Sequence, residues 1–302
     1  MNLNFILNPN AGSGKAIEYM EQIKNHLDKL DIPYSVFTAS SKEEGVSIAN
    51  KLISEKHRAL ISVGGDGTVS QLLPLIVEKN IAYGIIPAGE GNDFASCVGI
   101  SDNPIEAIEQ ILRYNIKDID YVEVDIKNLE GKTLIARPMC CFLCAGMEGI
   151  IKKPSRKNQE VMHVQKFSYF GTLVRLLFGS KRYHFFVTIN GERKEYKNSQ
   201  ITVMNGSAIA SGLTLCPLAD MGDGYMDVVI IKDAPIGETL KMFRGINSGN
   251  SEFLESKYVE HYQVKELRIE LVNHNYMDID AEVYRGRIID LNIKEKGLKV
   301  FV

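Results

Sequence analysis

A five-residue turn, Gly-Gly-Asp-Gly-Thr at positions 64–68, constrains the fold of this chain more than any other stretch. It follows an apolar run at 59–63 and precedes a helix-like segment at 69–73, so it predicts a strand that turns directly into a helix. Glycines accept positive φ angles and allow close backbone approach, and N–H groups at a helix N-terminus bind phosphate oxygens. Asp66 would then face the Mg²⁺ that accompanies a nucleotide. The same residue types also form ordinary turns, so this stretch alone leaves both interpretations open.

Two further glycine-bearing turns follow apolar runs. Positions 8–14, Asn-Pro-Asn-Ala-Gly-Ser-Gly, come after the run at 3–7 and lead into a stretch with helical periodicity. Positions 87–93, Pro-Ala-Gly-Glu-Gly-Asn-Asp, come directly after Ile85 and Ile86. In a parallel sheet such turns all lie at the carboxyl ends of the strands, where open α/β folds bind ligands. The three turns therefore predict one ligand site at one edge of a parallel sheet.

The chain divides by pattern into two parts. Up to about residue 115, short apolar runs alternate with helical periodicity, which predicts a Rossmann-like parallel α/β domain over 1–120. From Asp118 onward polar and apolar residues alternate, and Asn190-Gly191 is a strong two-residue hairpin signal. We therefore expect a largely antiparallel β-sandwich over 121–302, with the C-terminal segment returning to the first domain as an open alternative. A cleft between two such domains is the natural place for an active site.

Two common phosphate-loop patterns do not fit the first turn. A Walker A loop needs glycine at position 9 and Ser or Thr after Gly14-Lys15, but the chain has Pro9 and Ala16 there. A dinucleotide fingerprint needs a third glycine where Ile17 stands. Lys15 itself is equally consistent with phosphate neutralisation and with a solvated surface lysine.

In the order and content of these three turns the sequence resembles the soluble lipid kinases with a diacylglycerol-kinase catalytic domain, which are relatives of sphingosine and ceramide kinases. Two further motifs extend the resemblance over nearly the whole chain: Pro-Leu-Ala-Asp-Met-Gly-Asp-Gly-Tyr at 217–225 and Asp-Ala-Glu at 280–282. The resemblance implies ATP- and Mg²⁺-dependent phosphorylation of a lipid hydroxyl, with diacylglycerol as the expected acceptor and phosphatidic acid as the product. Phosphoryl transfer needs charge neutralisation and an aligned nucleophile more than covalent chemistry, which suits such loops.

The resemblance also implies a set of nucleotide-binding positions in and beside the three turns. Asn8, Ser13 and Thr68 assist the backbone there, and Asp66 holds Mg²⁺ directly or through water. Glu90 stands where relatives have Ser or Thr, and a carboxylate near phosphates is repulsive unless a cation intervenes. The full set is Asn8, Pro9, Asn10, Ala11, Gly12, Ser13, Gly14, Thr38, Gly64, Gly65, Asp66, Gly67, Thr68, Glu90, Asn92 and Asp93.

A carboxylate-rich run at 276–283 supplies candidate catalytic groups. Its period of two predicts one strand with Asp278, Asp280 and Glu282 on a common face, although a solvated strand face has the same pattern. Relatives carry Asp-Gly-Glu at 280–282 and use its carboxylates on the substrate hydroxyl. By resemblance Glu282 is the catalytic base, Asp280 is its orienting partner or an alternative base, and Ala281 departs from the family glycine.

A second acidic group lies in the turn at 217–225. Oxygen-rich turns suit Mg²⁺ or Ca²⁺, and they are also plain turn formers. The resemblance favours a structural Mg²⁺ held by Asp220, Asp223 and the backbone of Tyr225. Cys141 and Cys144 form a lone C-x-x-C that we interpret as buried thiols, and the six histidines have no spacing that supports a metal site or a catalytic triad.

Composition limits the cellular setting. A net charge of −3 argues against nucleic acid as a partner, and five cysteines without a leading signal segment favour a cytoplasmic protein. No stretch reaches the ~18 apolar residues of a membrane span, so work on lipid requires peripheral contact with the inner face of the membrane. A basic and aromatic segment at 152–182 suits such contact, or else a core helix with a basic edge. The sequence leaves open whether the protein is a homodimer.

Two rival functions remain at this stage. An NAD kinase shares the Gly-Gly-Asp-Gly-Thr turn, but Asn8-Pro9 with Gly12 and Asn92-Asp93 argue against it. A non-catalytic regulator that binds nucleotide or lipid is the other, and it is suggested by Glu90 and Ala281.

Overall fold

The computed structural model describes residues 2–145, 183–209 and 213–302. These residues form two compact units, one built from the chain up to residue 120 together with 296–302, the other from the described residues between 121 and 295. The basic segment at 152–182 lies outside the described residues. No helix within the described ranges is long and apolar enough to cross a membrane.

The first unit contains a parallel sheet. Its strands β1 (Leu3–Leu7), β2 (Tyr34–Thr38), β3 (Ala59–Gly64) and β4 (Ala82–Pro87) are ordered β4-β3-β1-β2, and each neighbouring pair is parallel. Every residue of β1, β3 and β4 is buried, because helices cover both faces of a parallel sheet. The predicted parallel α/β fold is confirmed.

Five helices belong to this unit: α1 (Lys15–Lys29), α2 (Lys42–Ser54), α3 (Asp66–Ile76), α4 (Asp93–Val98) and α5 (Pro104–Leu112). A short 3-10 turn, Ala11–Gly14, precedes α1. Helix α1 buries residues spaced three and four apart along one face, as an amphipathic helix on a sheet does. These residues are Ala16, Met20, Ile23 and Leu27.

The second unit consists mainly of antiparallel strands. They are β5 (Ile116–Lys127), which begins in the first unit, β6 (Thr133–Met139), β7 (Phe142–Ala145), β8 (Tyr183–Ile189), β9 (Glu192–Met204), β10 (Ala208–Ile209), β11 (Leu213–Thr214), β12 (Met226–Ile231), β13 (Val259–Val264), β14 (Glu266–Leu271), β15 (Tyr276–Ile279), β16 (Glu282–Arg285) and β17 (Ile288–Phe301). The last strand, β17, runs on into the first unit, where Lys299 and Val300 pair in parallel with β4. The described part of the second unit also contains a helix, α6 (Ile236–Ser248), and a short 3-10 turn, Ser251–Glu255.

Strand β9 pairs with three other strands of the sandwich. Its first half pairs antiparallel with β8, and its second half pairs antiparallel with β7 on one side and β12 on the other. Alternate residues of these strands enter one shared apolar core, among them Phe185, Ile201, Val203 and Val228. The hairpin predicted from Asn190-Gly191 joins β8 to β9, and both turn residues have positive φ. The predicted β-sandwich is confirmed.

Candidate active site

The three glycine turns of the first unit meet at the carboxyl edge of its parallel sheet. A Cβ placed on Gly12 would overlap the backbone carbonyl oxygen of Ala88, and a Cβ on Gly65 would lie 2.8 Å from the Cα of Gly89. Backbone therefore touches backbone at both contacts, which only glycine permits. The prediction that the three turns lie together at one edge of the sheet is confirmed by this geometry.

Hydrogen bonds fix the turns to one another. The Asn8 side-chain Nδ2 donates to Thr68 Oγ1 at 3.1 Å, and the backbone N–H of Ala88 donates to the Gly64 carbonyl at 2.8 Å. The Asp66 carboxylate accepts from the N–H of Phe94 at 3.1 Å. Asp66 therefore links the second turn to the start of α4, in addition to any metal-binding role.

The helices that begin at the first two turns have no side-chain N-cap. Gly14 and Gly65 occupy the N-cap positions of α1 and α3, whereas Ser41 and Asn103 cap α2 and α5 with side-chain oxygens. The first-turn N–H groups of an uncapped helix, with the positive end of its dipole, attract anions. Helices α1 and α3 thus present two anion-attracting ends beside the contacting turns.

The first turn has a strained backbone. Gly12, Ser13 and Gly14 have φ angles of 57°, 59° and 100° in succession. A serine in the left-handed region is uncommon and costs roughly 1–2 kcal/mol, and such outliers cluster at functional sites. The strain at Ser13 supports a ligand-related role for this turn.

The other predicted nucleotide residues lie at or near the same edge. Thr38 ends β2 beside Leu7 and is exposed, Asn92 and Asp93 are buried at the start of α4, and Glu90 is exposed in the third turn. The Asn92 Oδ1 accepts the N–H of Gly89 at 2.9 Å, which shapes that turn. The Lys15 ammonium lies 4.8 Å from the centre of the Tyr19 ring.

The predicted single strand over 276–283 is wrong. Strands β15 and β16 form a hairpin in which Asp278 pairs with Val283 and Ile279 with Glu282. The turn residues Asp280 and Ala281 have φ angles of 48° and 64°, as a two-residue turn of this kind requires. Because cross-strand partners share a face, Asp278 and Glu282 lie on opposite faces and the three carboxylates do not converge.

The two predicted catalytic carboxylates of this hairpin have different surroundings. Asp280 is buried and accepts backbone N–H groups from Cys140, Cys141 and Phe142 at 2.7, 2.8 and 3.1 Å. Burial raises the pKa of Asp280 above its ordinary value, and the Arg137 charge and the three N–H donors oppose that shift. Asp280 thereby ties the hairpin turn to the chain before β7.

Glu282 forms a side-chain cluster with two residues that sequence analysis missed. Its Oε2 accepts from Arg137 Nη1 at 3.1 Å and from the Tyr284 hydroxyl at 2.7 Å, and the Arg137 guanidinium lies over the Tyr284 ring. The Arg137 and Glu282 side chains are only 7% and 11% exposed. No local motif marks Arg137, because strand β6 comes far earlier in the chain than the hairpin.

The acidic turn at 217–225 holds its carboxylates by Asx-type hydrogen bonds. Asp220 accepts the N–H of Gly222 at 3.0 Å, and Asp223 accepts the N–H of Tyr225 at 2.9 Å. Both aspartates are exposed, and with a backbone carbonyl they make an all-oxygen donor set of the kind that Mg²⁺ or Ca²⁺ prefers. The residues present therefore fit the predicted ion.

The prediction of buried thiols is confirmed for Cys141 and Cys144, which are buried and carry no disulfide. The spacing of the histidines in the sequence indicates no metal site, and one of them meets two other ligand-bearing side chains only in the folded structure. His261 lies beside Cys216 and Asp227 in a compact set of ligand atoms.

Two family models match this chain. Residues 2–124 match the diacylglycerol kinase catalytic domain, and residues 142–301 match the YegS C-terminal NAD kinase beta sandwich-like domain. The chain belongs to the lipid-kinase family that joins these two domains, as the sequence resemblance predicted.

Individual relatives and solved structures are similar over most of their length. A Staphylococcus epidermidis protein named "Putative lipid kinase" is 25% identical over 261 residues, covering 84% of this chain and 80% of the relative. A crystal structure of a "putative diacylglycerol kinase" from Bacillus anthracis str. Sterne has a TM-score of 0.78 at 19% identity, covering 99% of this chain and 96% of that one. Yeast NADH kinase complexed with NADH has a TM-score of 0.53 at 11% identity, covering 99% and 82%. The likeness to both structures is one of fold.

Proposed function

We propose that this protein is an ATP- and Mg²⁺-dependent kinase that phosphorylates a lipid hydroxyl, converting diacylglycerol to phosphatidic acid. The observation that carries the proposal is the pair of helix N-termini at Gly14 and Gly65, which have no capping side chain and adjoin contacting glycine turns. Such an arrangement suits a polyphosphate, because oriented N–H groups and two helix dipoles attract the same anion.

The nucleotide contacts follow from that arrangement. The backbone of the turns at 8–14 and 64–68 holds the phosphates, with Asn8, Ser13 and Thr68 assisting through side-chain oxygens and nitrogen. Asp66 is the residue of this edge best suited to hold Mg²⁺, since its carboxylate is fixed by the N–H of Phe94. Bound there, Mg²⁺ neutralises phosphate charge.

The acceptor chemistry is assigned to the hairpin of β15 and β16. Glu282 takes the proton of the lipid hydroxyl while the hydroxyl oxygen bonds to the γ-phosphorus and the bond from that phosphorus to the ADP oxygen breaks. Arg137 and Tyr284 hold the Glu282 carboxylate in place. Asp280 is the positioning partner, because three backbone N–H groups already engage its two oxygens.

Two further features belong to this proposal. Asp220, Asp223 and the Tyr225 carbonyl hold a structural Mg²⁺, for which their oxygen donor set is suited. The enzyme works from the cytoplasm in peripheral contact with the inner membrane face, and the support for this is the basic and aromatic composition of residues 152–182.

A phosphorylation assay with a panel of candidate acceptors tests the proposal directly. Purified protein receives labelled ATP and Mg²⁺ with diacylglycerol, phosphatidylglycerol, ceramide, sphingosine or NAD in mixed micelles. We expect label in phosphatidic acid above every other product. Label in NADP would favour the second candidate, an NAD kinase. This candidate is retained because the chain is similar in fold to yeast NADH kinase. No label in any product from folded protein would favour a non-catalytic regulator.

A further inference from the structure

A thiol, a carboxylate and an imidazole converge in the second unit, apart from the residues assigned above. Cys216, Asp227 and His261 place one ligand atom each within 4.8 Å of one another. Among the described residues they form the one group of three or more such side chains that could hold a metal ion. Thirty-four positions separate Asp227 from His261 along the chain, so their meeting depends on the sheet.

The register of β12 and β13 brings Asp227 and His261 together. Asp227 pairs with Gln263, and Val229 pairs with His261, so Asp227 and His261 are diagonal neighbours on one face. The residues flanking Asp227, Met226 and Val228, point the other way into the sandwich core. Asp227 is therefore held on the face opposite the core by the packing of its neighbours.

Cys216 reaches the same place from a separate segment. It follows the short ribbon of β10 and β11, and its N–H donates to the Ser207 carbonyl at 3.4 Å. The N–H of Ala219 donates to the Cys216 carbonyl at 3.1 Å. These bonds fix the backbone of Cys216, whose side chain is fully buried.

One imidazole nitrogen faces both partners. His261 Nε2 lies 2.6 Å from Asp227 Oδ1 and 3.9 Å from Cys216 Sγ. A nucleophile relay uses both ring nitrogens, one for the carboxylate and one for the thiol, so this is not relay geometry. A tetrahedral zinc ion with ordinary bond lengths separates its ligand atoms by roughly 3.3–3.6 Å, so the Asp227–His261 pair needs to open by less than about 1 Å.

The two carboxylate oxygens of Asp227 differ, because Oδ1 lies 2.6 Å from His261 Nε2 and Oδ2 has no partner at hydrogen-bond geometry among the described residues. Asp227 is 1% exposed, and its buried Oδ2 has no hydrogen-bond partner among the described residues. A buried polar atom left unsatisfied costs about 1–3 kcal/mol. The hydrogen bond with His261 engages only Oδ1, and Oδ2 is the oxygen that a bound cation would use as its ligand.

The surroundings of the thiol argue against a reactive cysteine. Cys216 is fully buried, and its Sγ lies 3.9 Å from the same imidazole nitrogen that lies beside Asp227. A nucleophilic cysteine is instead partly exposed to solvent. A buried thiol beside an imidazole and a carboxylate suits a metal ligand, which binds as the thiolate.

We propose that Cys216, Asp227 and His261 bind one zinc ion, with water as the fourth ligand. Mixed sulfur, nitrogen and oxygen donors suit zinc, whereas Mg²⁺ and Ca²⁺ select oxygen alone. The His261 side chain is 20% exposed, which gives the ion an entry path and the water a position. The site pins the Cys216 segment to β12 and β13, and it is independent of the kinase proposal.

Metal titration of the full-length protein tests this site. Protein stripped with a chelator is titrated with ZnCl₂ by calorimetry, and a second sample is loaded with Co²⁺ for absorption spectroscopy. We expect one equivalent of zinc, a higher melting temperature with zinc, and a thiolate-to-cobalt charge-transfer band. Absence of zinc binding at one equivalent, or of the cobalt band, would overturn the proposal.

Variants identify the ligands. Cys216→Ser, Asp227→Asn and His261→Gln each remove one donor and should weaken zinc binding by more than the ~10- to 100-fold that loss of an outer-shell partner costs. Cys144→Ser, a buried thiol of β7, and Cys97→Ser, a partly exposed one, should bind zinc as the parent does. If the variants of the buried residues Cys216 and Asp227 fail to fold, His261→Gln provides the test, because the His261 side chain is partly exposed to solvent. Unchanged binding by folded His261→Gln, or loss of binding in either control, would refute the assignment.

Discussion

The turn edge of the first unit and the hairpin region of the second represent two ways of building a site. In the first unit, backbone contacts between turns define the candidate site, and every predicted nucleotide residue lies close to a strand end. In the second unit, side chains from distant segments come together, as Arg137 does with Glu282 and, separately, Cys216 does with Asp227 and His261. The residues of the first kind of site can be recognised from local sequence motifs. Those of the second kind come together only when the strands pair in their final register.

The difference also predicts how each site fails. A backbone-defined site tolerates no added Cβ at its contacts, because neither partner has a side chain that could rotate away. A side-chain-defined site can lose one function and keep its fold, because conservative substitutions retain the volume. The variants below separate these two behaviours.

Among the four variants that compare the two regions, the largest effect is expected at Glu282. Glu282→Gln should lower kcat by roughly 10²- to 10⁴-fold, the range for a general base, while ATP affinity changes little. Steady-state kinetics with diacylglycerol measure kcat, and calorimetry measures ATP affinity. Glu270→Gln serves as the control, since Glu270 on β14 pairs with exposed Arg193. Weakened ATP binding with unchanged kcat would move Glu282 into the nucleotide site.

The second comparison uses two glycines of one turn. Gly65→Ala should destabilise the protein by about 1–3 kcal/mol, because the new Cβ meets the Gly89 backbone. Gly67→Ala should raise stability by about 0.5–1 kcal/mol, since nothing lies near that position in α3 and alanine is the better helix former. Chemical denaturation measures both. Equal effects of the two variants would mean that contact between the turns does not define this edge.

The third variant tests whether Asp280 is a structural tether. Asp280→Asn should cost about 1–3 kcal/mol, because the amide NH₂ replaces an oxygen that now accepts a backbone N–H. Asp118→Asn is the control, since its partner Lys299 forms only an exposed ion pair with it. Unfolding in urea reports the difference. A stable Asp280→Asn variant would leave the tether role unsupported.

The smallest effect is expected at Ala281. Ala281→Gly should stabilise the protein by roughly 0.5 kcal/mol, because relief of ~1–2 kcal/mol of left-handed strain exceeds the ~0.4–1 kcal/mol gained by the unfolded chain. Ala136→Gly, at an exposed position of β6 with ordinary φ, should destabilise instead. The same sign for both variants would show that the hairpin turn carries no strain.

Sequence reasoning reached the first site because its information is local. Each turn follows its own apolar run, so the strand ends, the glycines and their shared edge were all predictable. The hairpin at 280–281 was missed because Asp-Ala is not one of the glycine-containing pairs that favour a two-residue turn. Read as a continuous strand, the run placed Asp278 and Glu282 on one face, and the turn reverses that relation.

The zinc ligands were beyond sequence reasoning for a different reason. No metal motif has their spacing, and His261 meets Asp227 only through the register of β12 with β13. Arg137 was missed in the same way, because its contact with Glu282 spans most of the second unit's sequence. Long-range pairing of this kind follows from the sheet and not from any local pattern.

Transfer of labelled phosphate from ATP to diacylglycerol, measured in parallel for the parent protein and Asp66→Asn, tests the central claim most directly. The substitution keeps the side-chain volume and the oxygen that accepts from Phe94, and it removes the charge that would hold Mg²⁺. We predict labelled phosphatidic acid from the parent protein and none from Asp66→Asn, with equal melting temperatures. No transfer by the parent protein, or equal transfer by both, would contradict the account.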